Sequence, residues 1–184
     1  MCSEDSLSEI ISKAQSFYQQ LDPWHDLSHG KRVVKLALRI NKGEGGDPFL
    51  VEAGAWLHQY HDHLTELEQL LSALGLPDSQ KTALYEIVEQ CRPLKISQNS
   101  SLEACIVFDA DALELVGPSG VFREVLCNSV FRKMEPSQAI AAAREVQELF
   151  VAKIQTKTAR SLAESAIRAS DYFWDEYEKW ESAL

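Results

Sequence analysis

Apolar residues recur along this chain at intervals of three and four, the spacing that puts them on one face of a helix. Ile10, Ile11, Ala14, Phe17 and Tyr18 form the first such stripe, predicting a helix over 7–21 that Asp22-Pro23 breaks. Val33, Val34, Leu36, Ala37, Leu38 and Ile40 form the second, with Ser28 read as its N-cap. The glycine-rich stretch 42–47 reads as a loop, and Pro48 opens a helix over 48–58. Further helices are predicted over 64–74, from Asp78 or Ser79 to 90, and over 101–114, 121–132, 136–153 and 159–180. No stretch alternates with the period of a strand, and no repeat or low-complexity linker divides the chain. The fold class expected is all-α, one domain over residues 1–184.

Composition adds boundaries to this picture. With 184 residues, 45% hydrophobic and 25% charged, the chain can bury a sizeable core. Its formal net charge of -10 disfavours a nucleic-acid polymer or an anionic membrane as partner. It leaves room for a small anion held through a metal ion. No run approaches the roughly 20 apolar residues of a membrane span, and the first residues, with Glu4 and Asp5, lack a basic-apolar signal pattern. The expected location is the cytoplasm. The four cysteines, Cys2, Cys91, Cys105 and Cys127, form no CxxC pair and read as reduced thiols, Cys105 and Cys127 as core.

The chemistry concentrates in a short part of the chain. All five histidines, His25, His29, His58, His61 and His63, lie between positions 25 and 63. Imidazoles with carboxylates make sites for divalent metals. His25-Asp26-Leu27-Ser28-His29-Gly30-Lys31-Arg32-Val33 leads into an apolar helix, and Ala53-Gly54-Ala55-Trp56-Leu57-His58 ends another. Asp111 lies in the apolar segment Ile106-Val107-Phe108-Asp109-Ala110-Asp111-Ala112-Leu113-Glu114. A carboxylate in such a setting is costly unless it is paired or bound to a cation. The alternative reading of Asp111 is an arginine partner or a helix cap. Solvated surface residues are the favoured reading of His61 and His63.

These three segments resemble those of the HD-type metal-dependent phosphohydrolases, in particular a small bacterial branch with HDxxHxxRV near the N-terminus, LHD at the second site and a DADRL-like third segment. The likeness runs from about Asp22 to Gly117, and Thr156-Lys157-Thr158-Ala159 also looks like that branch. It implies that His29, His58 and Asp111 bind a metal, and that His25, Asp26 and Arg32 line the mouth of the site. It places Asp62 as an acidic residue beyond the pair and Glu103 at a glutamate before the final aspartate. Two positions depart from the pattern: Gln59 stands where the family has a ligating aspartate, and Ala112 where the branch usually has arginine.

The activity this implies is hydrolysis of a phosphoester or phosphoanhydride by a metal-activated water. Asp62 would be the general acid or base, Gln59 a neutral ligand, and Arg32, Lys31 or Lys95 a phosphate holder. The substrate implied is a nucleotide or another small phosphorylated molecule. The cofactor is one divalent ion among Mn, Fe, Zn, Mg and Ni. A second reading is a catalytically weakened fold that binds metal or nucleotide as a sensor. A third is a purely structural helical protein. The aromatic stripe of Phe173, Tyr177 and Trp180 reads as packing or as the face of a homodimer.

Overall fold

The computed structural model describes residues 3–183, so Met1, Cys2 and Leu184 lie outside the described residues. Within them the chain folds into α1 (Ser3–Tyr18), α2 (Leu27–Glu44), α3 (Pro48–Leu57), α4 (Leu64–Ala73), α5 (Asp78–Gln90), α6 (Leu102–Ala112), α7 (Pro118–Leu126), α8 (Pro136–Lys153) and α9 (Lys157–Ala183). A 3₁₀ turn, His58–Asp62, follows α3, and a π-helical turn, Cys127–Phe131, follows α7. No strand occurs among the described residues, as the hydrophobic periodicity predicts.

Three sequence expectations shift at their ends. Asp26, not Ser28, caps α2: its carboxylate accepts from the His29 backbone N–H at 2.9 Å. The glycine-rich stretch does not begin a loop at Lys42, because α2 runs on through Glu44. Glu44 Oε1 accepts from the Thr158 N–H at 2.7 Å, so the start of α9 fastens the last turn of α2. Gly45 then ends it with φ +83°, a conformation that side chains disfavour. Pro118 opens α7 three residues ahead of the predicted start, at the first helical position where a missing N–H costs nothing.

One hydrophobic cluster joins α1 to α6 and the first turns of α9, with Val33, Leu57, Leu84, Ile87, Ile106 and Phe108 essentially inaccessible. Helices α2, α3 and α6 lie against one another at its centre, which is why residues from their ends can meet. Helices α7, α8 and the later part of α9 form a second layer. There Trp174 is buried, and its indole N–H donates to Gln147 Oε1 at 2.8 Å. Cys91, Cys105 and Cys127 are buried free thiols. None of the described helices is long and apolar enough to cross a membrane.

Candidate metal centre

His29 sits in the first turn of α2, His58 at the end of α3, and Asp111 in the last turn of α6. Their side chains come together, with one ligand atom from each lying within 4.8 Å of the others. The two imidazole Nε2 atoms are 3.2 Å apart. Asp111 Oδ1 is 3.3 Å from His29 Nε2 and 3.9 Å from His58 Nε2. Two nitrogens each about 2.1 Å from one ion are separated by about this much at an angle near 100°. The Gln59 amide nitrogen lies 3.0 Å from His58 Nε2 and 3.3 Å from His29 Nε2, so position 59 faces the same point. Turning the amide over brings its oxygen there, a neutral donor for a cation.

The surroundings orient both rings. His58 Nδ1 is 2.7 Å from the Ala55 carbonyl and 3.1 Å from the Tyr18 hydroxyl. Donation from Nδ1–H to that carbonyl leaves the Nε2 lone pair directed at His29 and Asp111. Tyr18 owes its position partly to Gly30, where a Cβ would fall 2.6 Å from the tyrosine ring. His29 Nδ1 faces Glu114 Oε2 at 3.5 Å and the Arg123 guanidinium at 3.2 Å. Glu114 also accepts from Arg32 at 2.7 Å and Arg123 at 3.3 Å.

Electrostatics make the cluster a receptor for positive charge. Burial opposes ionisation of Asp111, but the hydrogen bond from His29, the neighbouring His58 and Arg123 hold its carboxyl far below the usual range. Burial pushes His58 down to about 4, so its ring is neutral with a free lone pair. Burial also disfavours a charged His29, yet its contacts with Asp111 and Glu114 outweigh this and raise its pKa. A buried carboxylate beside one proton-accepting ring is the state a bound cation would replace. Two imidazoles, a carboxylate and an amide oxygen fit a divalent ion of intermediate softness.

Other residues singled out from the sequence lie elsewhere or serve other ends. His25 stands edge-on to His29, ring centres 6.0 Å apart, and binds Asp22 at 2.8 Å. Asp26 caps α2 through the His29 N–H, which places it beside His29 at the helix start. Arg32 is half exposed and tied to Glu114. Lys95 pairs with Glu89 at 2.8 Å. Glu103 accepts from the Asp47 N–H at 2.9 Å and braces the loop before α3. His61 binds the His58 carbonyl, and His63 pairs with Glu66 at the surface. Asp62 is two-thirds exposed; its carboxylate pairs with Arg92 at 2.5 Å and approaches His61 at 3.3 Å rather than joining the cluster. Ala112 is wholly buried in the core, so the lost arginine leaves no gap there.

Tyr18, Glu114 and Arg123 are supporting residues that sequence reasoning did not single out. Glu114 was within reach of it, since it follows Asp111 by three positions and so shares its side of the turn. Asp109, two residues before Asp111, points away from the cluster. It accepts from Gln155 N at 2.8 Å, Thr156 N at 2.7 Å and Thr156 Oγ1 at 2.6 Å. Asp109 thus anchors the segment that leads into α9, while Asp111 faces the cluster.

This all-helical chain, with His29, His58 and Asp111 meeting from α2, α3 and α6, shares its fold with solved structures of HD-superfamily hydrolases. The fold is shared with an HD-superfamily hydrolase of Bacillus thuringiensis, which is 21% identical, with all of both chains covered and a TM-score of 0.75. A protein from Lactobacillus plantarum is 27% identical over the whole of both chains, with a TM-score of 0.85. Bacillus subtilis YpgQ, solved in complex with ADP, is 24% identical over 97% of this chain and 96% of its own, with a TM-score of 0.78. No family model matches the chain, and no curated protein matches it significantly.

Proposed function

We propose that this protein is a metal-dependent phosphohydrolase acting on a small phosphorylated molecule, with a nucleotide as the favoured class. The convergence of His29, His58 and Asp111 on one buried point carries the reading. The ADP bound to similarly folded YpgQ supports the choice of a nucleotide. His29, His58 and Asp111, with the Gln59 oxygen, would hold one divalent ion. When bound, that ion would polarise a phosphoryl oxygen and activate water.

The chain's own residues prepare this chemistry. Ala55 and Glu114 fix the Nδ1 sides of the two rings, so both Nε2 lone pairs face the centre. Arg123 and Arg32, gathered on Glu114, supply the cations nearest the cluster for a phosphate oxygen. We assign proton transfer to Asp62, which follows His58 by four positions; acting there requires its carboxylate to leave Arg92 or to reach the centre through a water. A single ion suits Gln59, because a neutral amide bridges two cations poorly.

A second reading, binding without turnover, is favoured by the same glutamine. The two separate by one experiment. Protein purified without added metal is analysed for bound metal, then screened against nucleotides and sugar phosphates beside an Asp111→Asn variant. Hydrolysis that vanishes with the metal in the variant supports the enzyme. Metal without hydrolysis across the screen supports the sensor, and a metal content unchanged by the variant refutes the centre.

A further inference from the structure

The strongest reversal of charge in this acidic chain lies on α2. Lys31, Arg32, Lys35, Arg39 and Lys42 fall within twelve positions, and no Asp or Glu occurs from Leu27 through Gly43. Spacings of three and four put Arg32, Lys35, Arg39 and Lys42 on one face. That face, with Leu36 and Leu38 flanking it and Glu114 beside it, lines a groove of about 600 Å³. Lys35, Arg39 and Lys42 are exposed, and among the described residues none of them makes a salt bridge. Three like charges held along the eight residues from Lys35 to Lys42 repel one another, so an anion between them removes a standing electrostatic cost.

We infer that this groove is a binding site for a small polyanion bearing several phosphate groups, separate from the metal centre. Its volume falls in the range typical of small-molecule pockets. At about 1.5 Å per residue, Arg39 lies about 15 Å and Lys42 about 20 Å along α2 from His29. A phosphate chain anchored at the metal centre does not extend that far. The groove also adjoins Glu114, which faces Nδ1 of His29, the side opposite its ligating nitrogen. The net charge of -10 repels long anionic polymers and membranes over the Debye distance, whereas a small anion sits wholly within the local positive field. A second copy's α9 would bring Glu164, Glu176 and Glu178 already paired within their own chain, leaving Asp171, Asp175 and Glu181 as its exposed carboxylates, so the oligomeric state is read in the same test.

Sodium tripolyphosphate titrated calorimetrically into metal-free protein at low salt tests the site. Saturable one-to-one binding is expected. The triple variant Lys35→Gln, Arg39→Gln, Lys42→Gln should weaken it at least about tenfold, since three charge-assisted contacts are lost. All three positions are exposed, so the variant should melt at the parental temperature. Asp111→Asn should leave binding unchanged, which separates this site from the metal centre and its proposed activity. Lys95→Gln, outside the groove, should also leave it unchanged. Undiminished binding in the triple variant overturns the inference. So does binding lost in Asp111→Asn, which assigns the anion to the metal centre, or an equal loss in Lys95→Gln, which makes it an effect of net charge. Tighter binding of a short single-stranded oligonucleotide would assign the groove to nucleic acid. Self-association abolished by the triple variant would assign it to a second copy.

Discussion

Replacing Gln59 by Asp should destabilise the metal-free protein and tighten its hold on a divalent ion, two opposite effects from one side chain. Position 59 is buried, and its amide lies 3.0 and 3.3 Å from the same two imidazole nitrogens that Asp111 approaches at 3.3 and 3.9 Å. A second carboxylate there would stand within about 5 Å of Asp111, allowing for the shorter side chain. At an effective dielectric constant of about 20, two like charges at that distance repel by about 3 kcal/mol. The raised proton affinity of His29 offsets part of this, leaving about 2 kcal/mol. For a chain of this size that lowers the melting temperature by about 4–8 °C. With an ion present the sign reverses, because the added charge becomes a ligand. Each tenfold gain in affinity returns about 1.4 kcal/mol at saturating metal. Thermal scans after chelation and dialysis, then across a Mn or Zn series, read both effects on one preparation. An unchanged melting temperature without metal, or equal or weaker metal binding, would refute the reasoning and remove position 59 from the centre.

Other outcomes follow from the same geometry. Asp62→Asn should cut turnover by about 100-fold or more with metal content retained, if its carboxylate moves the proton; loss of both together would make it a ligand, and loss of neither a surface residue. Asp109→Asn should cost about 1–3 kcal/mol in urea unfolding, since a buried charged acceptor for Gln155 and Thr156 is weakened, while metal per folded molecule stays constant; metal lost at unchanged stability would contradict that assignment. Metal affinity should fall as the pH drops through the raised pKa of His29, because the proton competes for Nε2; a pH-independent affinity would exclude His29 as a ligand. For His58, the folded value of about 4 lies below the ordinary 6.5, so the unfolded chain binds more protons between them. Its contribution therefore lowers stability as the pH falls from 6.5 towards 4, and His58→Gln should flatten that part of the metal-free stability profile.

The sequence by itself determined the elements and the identity of the central residues. Helical periodicity, with proline and glycine as punctuation, predicted α8 at its observed bounds, Pro136–Lys153, and α3 to within a residue. Both features are local: a stripe of apolar side chains and a ring that fixes φ act within a few residues of themselves. His29, His58 and Asp111 were legible because the short motifs that hold them resemble those of the HD-type phosphohydrolases, and such motifs are local in sequence. Tertiary structure alone decided what each polar group touches. Tyr18 reaches His58 across 40 positions, Arg123 reaches His29 across 94, and Arg92 reaches Asp62 across 30. The same holds for Asp109 and Asp111, two residues apart and alike in sequence context. One anchors the start of α9 and the other joins the His29–His58 cluster, because successive positions on a helix turn by about 100° and these two point to opposite sides. Which side holds Thr156 and which holds His29 is set by how α2, α6 and α9 pack, and no local pattern encodes that.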